Sequence, residues 1–308
     1  MKILNKFLNK KISLAVTLAA LFVVAALVYS LGYRMAMNKF NTIVGYTQEK
    51  QKMYSKISEV DYNIRNDYIG KIDEDKLYDG TCAGYLKGLN DSNCKYLSAA
   101  DYKSYKNEQE NLSGDVTGSV IGENTAVLSC PCMGRGFSSN FISKLEELVS
   151  NGVNRVVIDL RNTSKGSEQE VFSVLEYMAG DGDIVQTVDL EGNKEVVCAG
   201  RRSELPVKFV VLINDKTSGL AEVFASALRD TRKIKLVGVE TAGNAVRTKV
   251  VNLSDDSVIV FPDAFYVTKS GAKFFKNGIK PDVNVVNKSG DDDLQMKEAT
   301  TLLSNETA

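Results

Sequence analysis

The amino-acid sequence predicts an α/β protein preceded by a membrane-spanning helix and a small helical module. Three observations support that reading. Residues 153–160 and 207–213 are nearly continuous apolar runs, the pattern of a strand covered on both faces. Helical patterns separate these runs, and alternating strands and helices imply an α/β core over roughly residues 115–287. Ahead of them, residues 12–31 form a stretch whose only polar members are Ser13, Thr17 and Ser30, long enough to cross a bilayer core at about 20 residues.

Lys2, Lys6, Lys10 and Lys11 precede that stretch, which predicts a cytoplasmic basic N-terminus over 1–11, an anchor over 12–32 and an extracytoplasmic remainder. Arg34 and Lys39 lessen the asymmetry. A cleaved signal peptide is the alternative. Its apolar region is usually shorter, roughly 7–15 residues, and Met35-Ala36-Met37 is a poor cleavage site. A signal-anchor at the cell membrane is therefore the expectation.

Residues 33–114 read as a helical region. Met53, Ile57, Val60 and Ile64 recur at helical spacing within a helix expected over 41–66. Their stripe suits a parallel dimer seam or packing against the rest of the module. Helices are expected over 73–87 and 99–110, the first acidic at its start and the second capped by Ser98. Short strands follow at 116–121 and 125–130. Phe137, Phe141, Leu145 and Leu148 mark a helix that Asn151-Gly152 ends. Beyond the buried run 153–160, a helix over 167–178 leads to strands at 184–190, 195–199 and 207–213. Helix 219–229 and strands at 234–238, 246–253, 257–261 and 265–268 complete the core, and 288–308 reads as a polar or short helical tail. The acidic run Asp291-Asp292-Asp293 fits a solvated tail better than a calcium site.

Composition excludes several chemistries. With 38 basic and 39 acidic residues the net charge is −1, so no overall field attracts nucleic acid. Histidine is absent, which removes Ser-His-Asp and Cys-His catalysis and histidine-ligated metals together. The five cysteines form no paired CxxC motifs, and they read as small buried hydrophobes in strands. A hydrolase here would have to be of the serine–lysine type.

The order of motifs resembles the carboxy-terminal-processing, or tail-specific, serine proteases along nearly all of the chain after the anchor. The helical region carries Asp73-Glu74-Asp75-Lys76-Leu77, Gly84-Tyr85-Leu86-Lys87-Gly88-Leu89-Asn90-Asp91-Ser92 and Lys95-Tyr96-Leu97-Ser98. More specific are Val157-Ile158-Asp159-Leu160-Arg161-Asn162, Val211-Leu212-Ile213-Asn214, Glu222, Leu236-Val237-Gly238, Thr241-Ala242-Gly243, and Asn277-Gly278-Ile279-Lys280-Pro281-Asp282-Val283. The resemblance implies a Clp protease/crotonase-like core, proteolysis of polypeptide or envelope-protein partners, and no cofactor or metal. It also implies a peptide-binding PDZ domain between helical region and core. Only residues 114–124 lie there, too few for a folded module of about 50 residues or more.

By the same resemblance, with Glu222 as the fixed point, the family nucleophile falls on Gly219, the lysine base on Asn244 and its orienting glutamine on Thr248. A glycine cannot attack a carbonyl and an asparagine cannot act as a base. The oxyanion-hole region falls on Lys165, Gly166 and Leu220, with Ser164-Lys165-Gly166 where the family has Pro-Gly-Gly. These substitutions imply a pseudoenzyme that oligomerises as a homodimer or pairs with an active relative. The alternative is a divergent serine endopeptidase with a rebuilt site, Ser218 or Thr217 as nucleophile and Lys165, Lys216 or Lys249 as base. Against it, Ser218 has a simpler role as N-cap of the helix that follows, and Lys249 lies on the opposite face of its strand from Asn244.

Overall fold

A computed structural model of the chain describes residues 14–200, 205–288 and 292–305. Two compact units divide after Glu74. The basic residues Lys2, Lys6, Lys10 and Lys11 lie outside the described residues.

The first unit is one helix, α1 (Leu14–Asp67), of 54 residues. The sequence suggested an anchor and a separate helix from residue 41. Nothing in 32–41 breaks the backbone, however, because Gly32 is tolerated within a helix and no proline intervenes. The stretch Leu18–Asn38 is long and apolar enough to cross a membrane, and none of it is buried. At the far end Arg65 pairs with Asp61 one turn earlier at 2.8 Å.

The second unit starts with α2 (Glu74–Lys87), β1 (Lys95–Leu97) and α3 (Ala99–Glu110). Ser98 caps α3 as expected, its hydroxyl accepting the Asp101 N–H at 3.2 Å. These elements belong to the same compact unit as the core, so the helical region expected over 33–114 is divided between the two units. Strand β1 was missed because three residues are too few to show an alternation. It pairs antiparallel with β10 (Val258–Thr268).

The core holds two sheets. Strands β2 (Thr117–Gly122), β3 (Thr125–Ser129), β4 (Arg155–Asp159), β7 (Lys208–Ile213), β8 (Lys235–Gly238) and β11 (Val283–Asn284) form a six-stranded sheet in the order β11-β8-β7-β4-β3-β2. Only the β2–β3 hairpin is antiparallel. The five-stranded sheet joins β1, β10, β5 (Gly182–Asp189), β6 (Lys194–Gly200) and β9 (Val246–Asn252). The expected strands 257–261 and 265–268 are one strand, β10. Pro262 removes a ladder donor, and the chain absorbs this with a bulge between Pro262 and Ala264 rather than a break.

Alternation along the parallel strands sends side chains to two separate cores. Leu128, Ile158, Val211 and Leu236 face helices α4 (Phe137–Ser150), α5 (Glu168–Met178) and α6 (Leu220–Arg232). Phe137, Phe141 and Phe224 meet there with ring centroids 5.6 to 6.3 Å apart. Val127, Val157, Val210, Leu212 and Val237 face the opposite way and need their own cover. Helix α7 (Leu294–Asn305) supplies it with Ala299 and Leu303, both fully buried. Residues 294–305 are therefore core rather than polar tail. Asp293 is no solvated anion either: it accepts the Met296 N–H at 3.1 Å at the start of α7 and pairs with Arg161 at 2.9 Å. Leu303→Ala is expected to destabilise the fold by about 2–5 kcal/mol through the cavity it leaves. Thermal unfolding should then fall by roughly 4–20 °C, and an unchanged midpoint would remove α7 from the core.

The cysteines only partly follow expectation. Cys130 and Cys198 are buried, whereas Cys82, Cys94 and Cys132 are half-buried, and all five are free thiols. Burial pushes the Cys198 thiol up to about 12 and Cys130 higher still, which leaves both inert as nucleophiles.

Candidate active site

Strand β7 ends at Ile213, and residues 214–218 turn the chain into α6. Two buried threonines hold that turn. The Thr217 hydroxyl donates to the Leu160 carbonyl at 2.8 Å and accepts the Asn214 N–H at 3.0 Å. Thr163, fully buried, donates to the Cys130 carbonyl at 2.5 Å, and its own carbonyl accepts the Ser218 N–H at 2.9 Å. Thr217 is thus a fixed part of the wall rather than a reactive hydroxyl.

Gly219 follows with φ +64° and ψ −123°, a conformation that side chains with a Cβ rarely adopt. A strained strand-to-helix turn of this kind is the geometry that presents a nucleophile at the head of a helix. A Cβ added to Gly219 would meet no atom within 4 Å. The backbone is thus shaped to present a side chain into open space, and none is there.

Glu222 holds the site together. Its fully buried carboxylate accepts four hydrogen bonds: from the Thr241 hydroxyl at 2.5 Å, and from the N–H groups of Gly243 at 2.7 Å, Asn244 at 2.8 Å and Gly219 at 2.9 Å. One carboxylate therefore ties the turn before α6 to the loop 241–244. Gly243 permits this loop its close approach, since a Cβ there would lie 2.7 Å from the Gly278 nitrogen. The Thr241 hydroxyl also accepts the Ile279 N–H at 2.7 Å, which brings the closing Asn277-Gly278-Ile279 motif into the same assembly. The cap role expected of Ser218 is not found. Helix α6 begins at Leu220, Gly219 stands in the capping position, and Glu222 takes the Gly219 N–H.

Gly219, Asn244 and Thr248 line one cleft of about 240 Å³, together with Ser218, Leu220, Ser164 and Gly166. Within it the Asn244 side-chain amide donates to the Ser218 hydroxyl at 3.3 Å. Lys165 is not among the lining residues, because neighbours in an extended segment point opposite ways and Ser164 and Gly166 face the cleft. Its amine lies 2.8 Å from Glu108, and that hydrogen bond and ion pair raise its pKa, the reverse of what a general base needs. Thr248 and Val246 face the cleft while Lys249 between them and Asn252 does not, as the strand period requires.

Sequence reasoning missed the opposite wall, made by Asn93, Lys95 and Tyr105. Lys95 rests its amine over the Tyr105 ring, 5.6 Å from the centroid. These residues stand more than 100 positions from Gly219 along the chain, and only the pairing of β1 with β10 brings them there. A larger cavity, about 720 Å³, is lined by Ser129, Asp159, Arg161, Asn214 and Gln295. Its one lining cation, Arg161, is bound to Asp159 at 2.6 Å and to Asp293 at 2.9 Å.

With this geometry in place, comparison with known proteins is decisive for the family. The sequence profile described as Peptidase family S41 matches residues 124–285, more than half of the chain. The chain belongs to peptidase family S41.

This S41 chain is 33% identical over 140 residues to the chloroplastic C-terminal processing peptidase of Tetradesmus obliquus, covering 45% of the chain and 30% of that protein. It is 31% identical over 138 residues to the carboxyl-terminal-processing protease of Synechocystis, covering 45% and 32%. It is 25% identical over 180 residues to the carboxy-terminal processing protease CtpA of Bacillus subtilis, covering 58% and 36%. The chain thus spans about a third of the length of these relatives. Among solved structures, a putative peptidase from Parabacteroides merdae matches with TM-score 0.57 at 14% identity, over 80% of this chain and 89% of that one. The photosystem II D1 C-terminal processing protease matches with TM-score 0.52 at 23% identity, over 69% and 52%. These likenesses establish the α/β fold expected for an S41 protein.

Proposed function

We propose that this S41 protein is a membrane-anchored pseudoprotease, an extracytoplasmic interaction or regulatory protein that keeps the peptidase cleft without its chemistry. The observation that carries this reading is Gly219: the turn before α6 has a conformation strained for any residue but glycine, faces open space and bears no side chain. Asn244 offers an amide where a serine–lysine hydrolase needs an amine; of the candidate bases, Lys165 is engaged with Glu108, Lys216 and Lys249 do not line the cleft, and the one lysine that does, Lys95, rests over Tyr105. Residues 111–124 form a bend and strand β2, so the segment that would carry a PDZ module is used by the core sheet itself. A partner is accordingly a polypeptide bound without the usual selection of a C-terminus.

Localisation follows from the apolar part of α1. The basic residues before it support a cytoplasmic N-terminus and an extracytoplasmic folded unit.

The rival is an active enzyme using Ser218 with Lys165. Its hydroxyl lies in the cleft, but its proposed base is held charged elsewhere. A fluorophosphonate probe is expected to leave the purified residues 75–308 unmodified. Covalent labelling at Ser218, abolished by Ser218→Ala and slowed by Lys165→Ala, would establish the enzyme and end the pseudoprotease reading.

A further inference from the structure

Beyond the anchor, α1 carries a pattern that its own unit does not use. Counting in sevens from Lys50, positions a are Lys50, Ile57 and Ile64 and positions d are Tyr46, Met53, Val60 and Asp67, so the apolar stretch of the seam ends at Ile64. Ile57 is 41% exposed, Val60 57% and Ile64 43%, and the helix runs through them without interruption. An apolar seam repeating every 3.5 residues stays on one side only if the helix supercoils about a partner.

We propose that residues 46–67 of α1 form a parallel two-stranded coiled coil with a second copy of this chain. Charge selects both the partner and its direction. In a parallel pair, position g of one helix faces position e of the next heptad on the other, which sets Lys56 against Asp61. In the antiparallel pair centred on the same seam, Lys56 would face its own copy, and like charges repel. Lys50 at one a position specifies register and oligomer state at some cost in stability. Asp61 already bonds Arg65 within its own helix at 2.8 Å, which leaves its lone pairs able to take a second cation.

About three heptads are marginal in dilute solution. If the apolar part of α1 lies in a membrane, as proposed above, two copies share one plane and one direction, and their effective concentration rises. The pairing argument itself uses only the seam and its charges.

The test uses the full chain in membranes, with Cys82, Cys94 and Cys132 changed to serine. Single cysteines are placed at the seam, Ile57→Cys or Val60→Cys, and on the opposite side, Ser55→Cys. Mild oxidation is expected to give a product of twice the chain mass at 57 and 60, at least tenfold above that at 55. Lys56→Glu should reduce the Val60→Cys product severalfold, and Lys56→Glu with Asp61→Lys should restore it. Equal cross-linking at 55 and 60, no cross-linking, or a product of any other mass overturns self-pairing. Carbonate extraction scores the anchor separately: a chain released from membranes yet cross-linked at 57 and 60 removes the anchor and keeps the coil.

Discussion

Replacing Glu222 with alanine is expected to cost about 3–5 kcal/mol of stability, among the largest single-residue effects in the core. The carboxylate accepts four hydrogen bonds while fully buried, and alanine leaves all four donors without a partner. Each orphaned buried donor costs about 1–3 kcal/mol. The Gly219 and Asn244 groups border the cleft, where water can replace the carboxylate and recover part of the loss. Glu222→Gln should be less severe but still destabilising, because its amide nitrogen faces N–H donors it cannot accept from. Denaturant unfolding of residues 75–308 checks both. A shift below about 1 kcal/mol for Glu222→Ala would mean that turn and loop are held by other contacts.

Restoring the missing atoms is the second test. On the pseudoprotease reading proposed above, Gly219→Ser with Asn244→Lys is expected to give a cleft that fluorophosphonate labels at residue 219. Labelling should run on the order of a hundredfold or more faster than with Gly219→Ser alone, the usual range of general-base assistance. The geometry permits it because a Cβ at 219 meets nothing within 4 Å, and the two positions already line one cleft. The backbone exacts about 1–3 kcal/mol for a non-glycine residue at φ +64°. A lysine base acts in its neutral form, so the rate should rise with pH through the pKa of the introduced amine. A double variant that folds normally yet stays unlabelled would show that more than two side chains separate this cleft from a working one.

Much of the fold is readable from the chain because its central strands are apolar on both faces. Ile158 and Val157, or Val211 and Leu212, serve different cores, and such runs have few alternatives to a covered parallel sheet. The same logic demanded a second cover, yet residues 294–305 look polar when read alone, since only Ala299 and Leu303 reach full burial there. Strand β1 escaped because its three residues pair with β10 across more than 160 positions, which leaves no local periodicity, and β10 was split at Pro262 because a proline reads as a strand break when a bulge can absorb it. At the site, the convergence of Gly219 and Asn244 on one cleft is readable because both lie in local motifs that Glu222 ties together. The diversion of Lys165 to Glu108 is not visible, since it depends on where α3 lies.

The placement of α7 bears on how the protein is made. Strands β4, β7 and β8 have one face open until residues 294–305 dock, so a nascent chain displays Val157, Leu212 and Val237 as sticky surface throughout synthesis. Completion of the core therefore waits on its last helix, since that face stays uncovered until Leu303 has packed.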